Sequence, residues 1–376
     1  MENLIIFYPS FERGGVEKII ENLIIYFKKK KINIFLITLK NKNLNKLKKI
    51  KNLKIINPKK NNFLFFLPNR LSSMINCLSS LIFLLQKLNK KNTVIHSMQS
   101  SFIPILISKL KKFKIVIRNS EDPISSTIYA ENKLWAYLVF FLRFFFYNLA
   151  DLIITNSKGS SLSLKKFLTN KNKLKVKTIY NPYLTEEKIK DSLKKKIKKN
   201  HVISVGRLCK QKNFETLIYA FKKFIKKNKN YKLLIIGDGY QKNYLQNIIQ
   251  NLGLNKSVFL VGYVKELSNY YKEAKLFVLP SLYEGFGNVL IDAINYLVPC
   301  ISTNCKSGPA EILCNGKGGD LVPINNVNLL SQKMTDVITN KDKSKKKIHF
   351  AKKNLFRFNL KDQSEKYFHA LKSVLR

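Results

Sequence analysis

The chain has 376 residues, with 69 Lys and Arg against 23 Asp and Glu, and a formal net charge of +46. That length exceeds what one hydrophobic core serves, and a composition of 45% hydrophobic and 12% aromatic residues excludes a disordered basic tail. The charge calls for an anionic partner (nucleic acid, an anionic membrane face or a phosphorylated substrate), or for a compositional origin, since Lys, Asn and Ile recur throughout.

Five cysteines, an odd number with no C-x-x-C pair, argue against a disulfide framework and against a four-cysteine zinc site. The start, Met-Glu-Asn-Leu-Ile-Ile, opens on a strand-like run without a basic leader, which predicts a cytoplasmic chain. In chain order, runs rich in Ile and Val at Leu4–Tyr8, Ile32–Leu39, Thr93–His96, Ile115–Ile117, Leu152–Thr155 and Val176–Ile179 predict strands. Between them, Val16–Phe27, Leu71–Leu88 and Ser160–Leu168 have helical period. The strand runs are continuously apolar rather than alternating, which predicts burial on both faces of a parallel sheet.

The stretch Leu134–Tyr147 is dense in aromatic residues, contains Arg143, and falls short of the roughly 20 residues a membrane span needs. We read most of it as a buried helix, with contact against an anionic bilayer as the alternative. Phe63–Pro68 is a second apolar candidate for such contact. Near Asn181-Pro182 the pattern breaks, passes a Lys-dense stretch at Ile189–Asn200, and restarts. Strands are then predicted at Val202–Val205, Lys232–Ile236, Val258–Leu260, Leu276–Leu279 and Cys300–Ser302, and Phe356–Leu375 predicts a closing helix. The expected architecture is α/β: two doubly wound Rossmann-like domains, 1–183 and 184–355, facing across a cleft, with helix 356–376 packing back on the body.

Motifs for chemistry should lie just after strands, where loops and helix N-termini converge. Gly14 and Gly15 follow the first strand and fit either a phosphate site or a plain tight turn. Arg207 directly follows a strand and a glycine in Val205-Gly206-Arg207-Leu208, with Lys212-Asn213 close behind, and a guanidinium fork suits a diphosphate. The strongest segment is Pro280–Ala293. There Glu284 lies in a Gly-bracketed turn, a helix begins around Asn288, and Asp292 sits one turn in. Amides of Gly287, Asn288 and Val289 would form a helix N-terminal anion site. Gly237-Asp238-Gly239 invites a dinucleotide reading, but the third glycine of that fingerprint would fall at Lys242, so it fails.

In order and spacing these motifs resemble glycosyltransferase family 4, the retaining, nucleotide-sugar-dependent enzymes of GT-B fold. The matching pieces are Gly14-Gly15 with Glu17, Val205-Gly206-Arg207-Leu208 with Lys212-Asn213, Ile236-Gly237-Asp238-Gly239, Gly262-Tyr263-Val264 and Glu284-Gly285-Phe286-Gly287. They span nearly the whole chain. The resemblance implies that the first domain faces the acceptor and the second binds the nucleotide sugar. It implies that Arg207 and Lys212 bind the donor diphosphate, that Gly14 and Gly15 lie under the phosphates and sugar, and that Glu284 contacts sugar hydroxyls. Val264 would meet the nucleobase through its backbone. Asp292 takes the place of the family's second motif glutamate at the ribose, with a carboxylate one methylene shorter. Where many relatives carry a cleft histidine, this chain offers Asn119 after Ile115–Ile117 and His96 in the preceding strand, and both are candidate cleft residues. Gly308-Pro309-Ala310-Glu311-Ile312 resembles the branch acting on UDP-hexosamines and related UDP-sugars.

The activity so implied is transfer of a hexose or N-acetylhexosamine from a UDP-linked donor to a glycan or polyprenyl-linked acceptor. The setting would be lipopolysaccharide, capsule or glycoprotein-glycan assembly, in the cytoplasm or peripherally on the inner face of the membrane. Arg207, Lys212 and the Gly287–Val289 amides would stabilise the leaving diphosphate. The chain has no Asp-x-Asp to hold a divalent ion, so neither a metal nor another cofactor is expected. A nucleotide-sugar epimerase or a phosphorylase on the same fold is the rival. A nucleic-acid binder is disfavoured, because the lysines are spread over both domains and no nucleic-acid motif occurs.

Overall fold

The structure is a computed structural model that describes residues 1–9, 15–39, 47–58, 69–98, 101–166, 168–194 and 196–375. The chain divides into two compact units, Met1–Tyr183 with Phe358–Arg376, and Leu184–Arg357.

The first unit alternates strand and helix. Its elements are β1 (Asn3–Phe7), α1 (Gly15–Phe27), β2 (Asn33–Ile37), β3 (Leu53–Ile56), α2 (Asn69–Asn76), α3 (Leu78–Lys87), β4 (Thr93–Ser97), α4 (Phe102–Leu110) and β5 (Lys114–Asn119). There follow α5 (Pro123–Ile128), α6 (Lys133–Tyr147), β6 (Leu152–Thr155), α7 (Lys158–Lys165), α8 (Asn170–Lys173) and β7 (Val176–Thr178). The seven strands pair in parallel in the order β3-β2-β1-β4-β5-β6-β7. Side chains alternate across the sheet, so Leu4 and Ile6 of β1 enter one core and Ile5 and Phe7 the other, all fully buried. Helices cover both faces, which is why the strands read as continuous apolar runs.

The closing segment forms α17 (Leu360–Ser373), numbered after the elements of the second unit, and its N-cap Asn359 accepts a hydrogen bond from the Lys361 amide. Tyr367, Ala370 and Leu371 of α17 bury in the same core as Ile20, Leu23 and Phe27 of α1. Burying a Leu-sized side chain contributes about 1.5–3 kcal/mol. A polar clasp adds to this: Glu365 accepts from Lys30 at 2.9 Å and bonds the Tyr26 hydroxyl.

Two expectations need correction here, and one strand was missed. The helix expected over Leu71–Leu88 is two helices parted at Cys77, and the edge strand β3 was not anticipated. Most consequentially, the aromatic stretch is a helix, α6, but it is not buried. Of its fifteen residues only Tyr147 is fully enclosed. The cause is supply of partners: α4 and α5 pack against one stripe, and a helix apolar all round needs neighbours on every side to be enclosed.

The second unit runs α9 (Glu186–Ser192), β8 (His201–Val205), α10 (Phe214–Ile225), β9 (Lys232–Ile236), α11 (Lys242–Asn251), β10 (Val258–Gly262), α12 (Ser268–Glu273) and β11 (Leu276–Leu279). It continues with α13 (Asn288–Asn295), β12 (Cys300–Thr303), α14 (Pro309–Ile312), β13 (Asp320–Val322), α15 (Val327–Thr339) and α16 (Lys341–Lys353). Its six strands are parallel in the order β10-β9-β8-β11-β12-β13. Phe214, Leu217, Ile218 and Phe221 of α10 pack with Leu233 and Ile235 of β9 in its core. In both sheets the winding reverses beside the first strand, between β1 and β4 and between β8 and β11.

Candidate functional site

Ligands of doubly wound sheets bind beyond the carboxyl ends of the strands at this point of reversal. In the second unit, β8 runs there into Gly206-Arg207 and β11 into Pro280–Gly287. The two loops are zipped together. The Leu282 amide donates to the Gln211 carbonyl at 2.9 Å, Gln211 Nε2 to the Tyr283 carbonyl at 3.0 Å, and Asn213 Nδ2 to the Pro280 carbonyl at 3.2 Å.

Within this frame Lys212 Nζ meets Glu284 Oε1 at 2.5 Å, both side chains being largely enclosed. The same carboxylate oxygen accepts from Ser281 Oγ at 2.6 Å, and Ser307 Oγ donates to the Glu284 carbonyl at 2.9 Å. Removing either partner of so enclosed an ion pair leaves a charge without compensation. Lys212 lies across Gly206, where an added Cβ would come within 3.1 Å of its Cδ and Cε. Arg207 is exposed, and among the described residues its guanidinium has no hydrogen-bond or ion-pair partner. The site therefore sets an exposed arginine directly after Gly206, across which lies an ammonium held by a carboxylate.

Two glycines make the Glu284 turn possible. Gly287 takes φ 96° and starts α13, whose N-terminus carries no side-chain cap. Gly308 takes φ 89°, and a Cβ there would stand 2.0 Å from the Phe286 carbonyl oxygen, so the 307–312 segment lies directly on the turn. Asn288 and Val289 open α13, and Asp292 follows one turn later, buried and paired with Lys188 Nζ at 2.8 Å. Asn295 Nδ2 donates to the Lys188 carbonyl and fixes that lysine's backbone. Glu284 and Asp292 thus have different cationic partners. Val264 is half-buried just beyond β10, the outer strand of the sheet. Nearby, burial first and the Glu284 charge second push the Cys305 thiol up to about 12, so it stays neutral.

The first unit holds the other expected residues. Gly15 begins α1 and is exposed, whereas Gly14 and the Phe63–Pro68 stretch lie outside the described residues. Glu17 is buried and accepts from the Tyr8 hydroxyl at 3.2 Å. His96 is fully enclosed within β4, with Nδ1 3.1 Å from the Val116 carbonyl and Nε2 without a partner among the described residues. Burial lowers its pKa to about 4, so the ring is neutral and sealed from solvent. Asn119, also buried, donates to the Glu121 carbonyl at 2.6 Å and to Ser160 Oγ at 2.9 Å, tying β5 to α7.

Four residues of the second-unit site escaped sequence reasoning: Gln211, Ser281, Ser307 and Lys188. Ser281 had a usable signal, since it stands three positions before Glu284 in the same turn. Lys188 had none, because its carboxylate is 104 positions away.

Residues 185–354 match the family model described as Glycosyl transferases group 1. An uncharacterized glycosyltransferase of Methanocaldococcus jannaschii is 36% identical over 229 residues, covering 57% of this chain and 55% of the relative. The N-acetylgalactosamine-N,N'-diacetylbacillosaminyl-diphospho-undecaprenol 4-alpha-N-acetylgalactosaminyltransferase of Campylobacter jejuni is 31% identical over 229 residues, 59% of each chain. The chain thus spans rather more than half the length of these curated relatives. Among solved structures, Anabaena HepE in complex with UDP superposes with a TM-score of 0.74 at 17% identity, covering 99% of this chain and 100% of that one. Together with the two parallel sheets, these matches establish a group 1 glycosyl transferase domain over residues 185–354 and the GT-B fold for the chain.

Proposed function

We propose that the chain is a retaining glycosyltransferase that moves a hexose or N-acetylhexosamine from a UDP-linked donor to a glycan or lipid-linked acceptor. The observation that carries this reading is the Lys212–Glu284 pair beside the free Arg207, at the carboxyl ends of β8 and β11 and ahead of the α13 N-terminus. The name of the Campylobacter relative, which includes a diphospho-undecaprenol acceptor, and the UDP bound to Anabaena HepE support the choice of partners.

The roles follow from charge. As the bond between the sugar carbon and the diphosphate oxygen breaks, positive charge develops on the sugar and negative charge on the leaving group. Arg207, Lys212 and the Gly287–Val289 amides offset the latter, preorganised before the donor arrives. No metal takes part in this scheme. Glu284, held by Ser281, accepts from donor-sugar hydroxyls, and Asp292 accepts from the ribose while Lys188 keeps it placed. The acceptor oxygen attacks on the face the diphosphate leaves, and its proton passes to the departing phosphate oxygen. Configuration is retained without a covalent enzyme intermediate.

Incubation with a panel of UDP- and GDP-sugars, with and without lipid-diphosphate glycan acceptors, tests the reading. UDP release that depends on acceptor, with a new axial or equatorial linkage matching the donor's, is expected. Donor isomerisation without net UDP release would instead support the epimerase reading, and UDP release indifferent to acceptor would contradict transfer.

A further inference from the structure

Helix α6 is apolar on the side that faces water. Its inner stripe, including Phe146 and Tyr147, meets Phe102 of α4 at ring separations of 5.7 and 6.3 Å. Arg143, the one charge between Lys133 and the end of the helix, turns inward to pair with Glu121, its side chain only 13% exposed. The outward side presents Leu134, Tyr137, Leu138, Phe141, Phe144 and Phe145, each between 45% and 85% exposed. Fifteen residues span about 22 Å at 1.5 Å each, too short to cross a bilayer, and no described helix is long and apolar enough to do so.

Cations frame this face. Lys133 opens the helix, and at the other end Asn148 accepts hydrogen bonds from the Thr169 amide and Asn172 Nδ2, which brings Lys171 and Lys173 alongside. Lys109 and Lys114 both pair with Asp151 just beyond the helix, at 2.8 and 3.2 Å. Asp151 thus sits between Lys109 and Lys114 and within electrostatic reach of Lys175, which also feels Lys171. Burial first lowers the Lys175 pKa, and the charges of Lys109, Lys171 and Lys114 lower it further against the opposing pull of Asp151.

We propose that α6 lies in the interface of an anionic lipid bilayer, its outward aromatic side among the acyl chains and the flanking lysines on the phosphate groups. An apolar helix face bordered by lysines matches both layers of such an interface. A second copy of the chain is the poorer occupant, since docking would bring together two molecules of net charge +46. The inference stands apart from the proposed glycosyl transfer, and its test reads binding rather than turnover.

The chain supplies its own probe, because its single tryptophan, Trp135, lies on α6 and is 46% exposed. Titrating the full chain with phosphatidylcholine vesicles containing about a third phosphatidylglycerol should shift Trp135 emission to the blue and carry the protein up in flotation. Neutral vesicles, or the Leu138→Glu, Phe141→Glu, Phe145→Glu triple variant, should bind at least about tenfold more weakly. These side chains lie outside the cores, so far-UV circular dichroism should match that of the parent. The proposal is overturned if anionic vesicles leave Trp135 emission unchanged, or if the triple variant binds them as the parent does. It is equally overturned if Trp135 is already shielded from iodide in a dimer that sediments without lipid.

Discussion

Two sheets that share a strand order carry different chemistry at the carboxyl ends of their strands. At the carboxyl ends of β8 and β11 the second unit gathers a free guanidinium, an ammonium and a carboxylate, braced by serines and by main-chain bonds between the two loops. At the carboxyl ends of β4 and β5 in the first sheet, buried Arg118 and Asp122 are bonded inside the unit, to the Tyr367 hydroxyl and Asn181 and to Ser125 and Ser163, among the neutral buried residues His96, Ser97, Asn119 and Ser160. The neutral residues bond one another or the backbone, as in His96 to Val116 and Asn119 to Ser160. Topology provides a crevice in each case, and the side chains decide whether it binds charge or holds the fold together.

The contrast breaks most visibly if Glu284 proves dispensable. Glu284→Gln removes the charge that faces Lys212 and should lower turnover of a UDP-sugar and acceptor pair by about 10²-fold or more. Unchanged steady-state rates would remove the second-unit site. His96 sharpens the other side of the comparison. The unfolded histidine takes up a proton near pH 6.5, but the folded one only near pH 4. Between those values the unfolded state binds more protons, so stability falls as pH drops, by about 3 kcal/mol across the whole window. His96→Leu should flatten the melting temperature over that range; an unaltered acid dependence would contradict a neutral, structural ring. A smaller effect is expected from Ser281→Ala, which deletes one hydrogen bond to the Glu284 carboxylate and should cost about tenfold in kcat. The conservative Ser281→Thr should recover part of it, and an equal loss in both variants would show that the turn, rather than the bond, matters.

Much of the fold could be read from the chain because burial on both faces writes itself as unbroken Ile and Val runs. Leu152–Thr155 and Leu276–Leu279 have the expected bounds. β3 stayed hidden because an edge strand is only half covered and Lys54 interrupts Leu53–Ile56. The break at Cys77 left no mark, since the apolar period runs through it. In the site, the Glu284 turn was legible as glycines and a scarce carboxylate between a strand and a helix. The ion pairs were not, as Lys212 and Glu284 stand 72 positions apart and Lys188 and Asp292 stand 104 apart. The exposure of α6 was illegible for a related reason: hydrophobicity says that a side needs covering, and only the tertiary neighbours say whether it is.

The most direct test of the central claim is calorimetric titration of UDP into the full chain and into Arg207→Ala. Arg207 is exposed and has no partner among the described residues, so the substitution disturbs little besides the ligand. One UDP should bind per chain, and losing a charge-assisted contact of about 1.5–3 kcal/mol should weaken it about 10- to 100-fold. No heat of binding, or equal affinity in the variant, would contradict a diphosphate site at the carboxyl ends of β8 and β11.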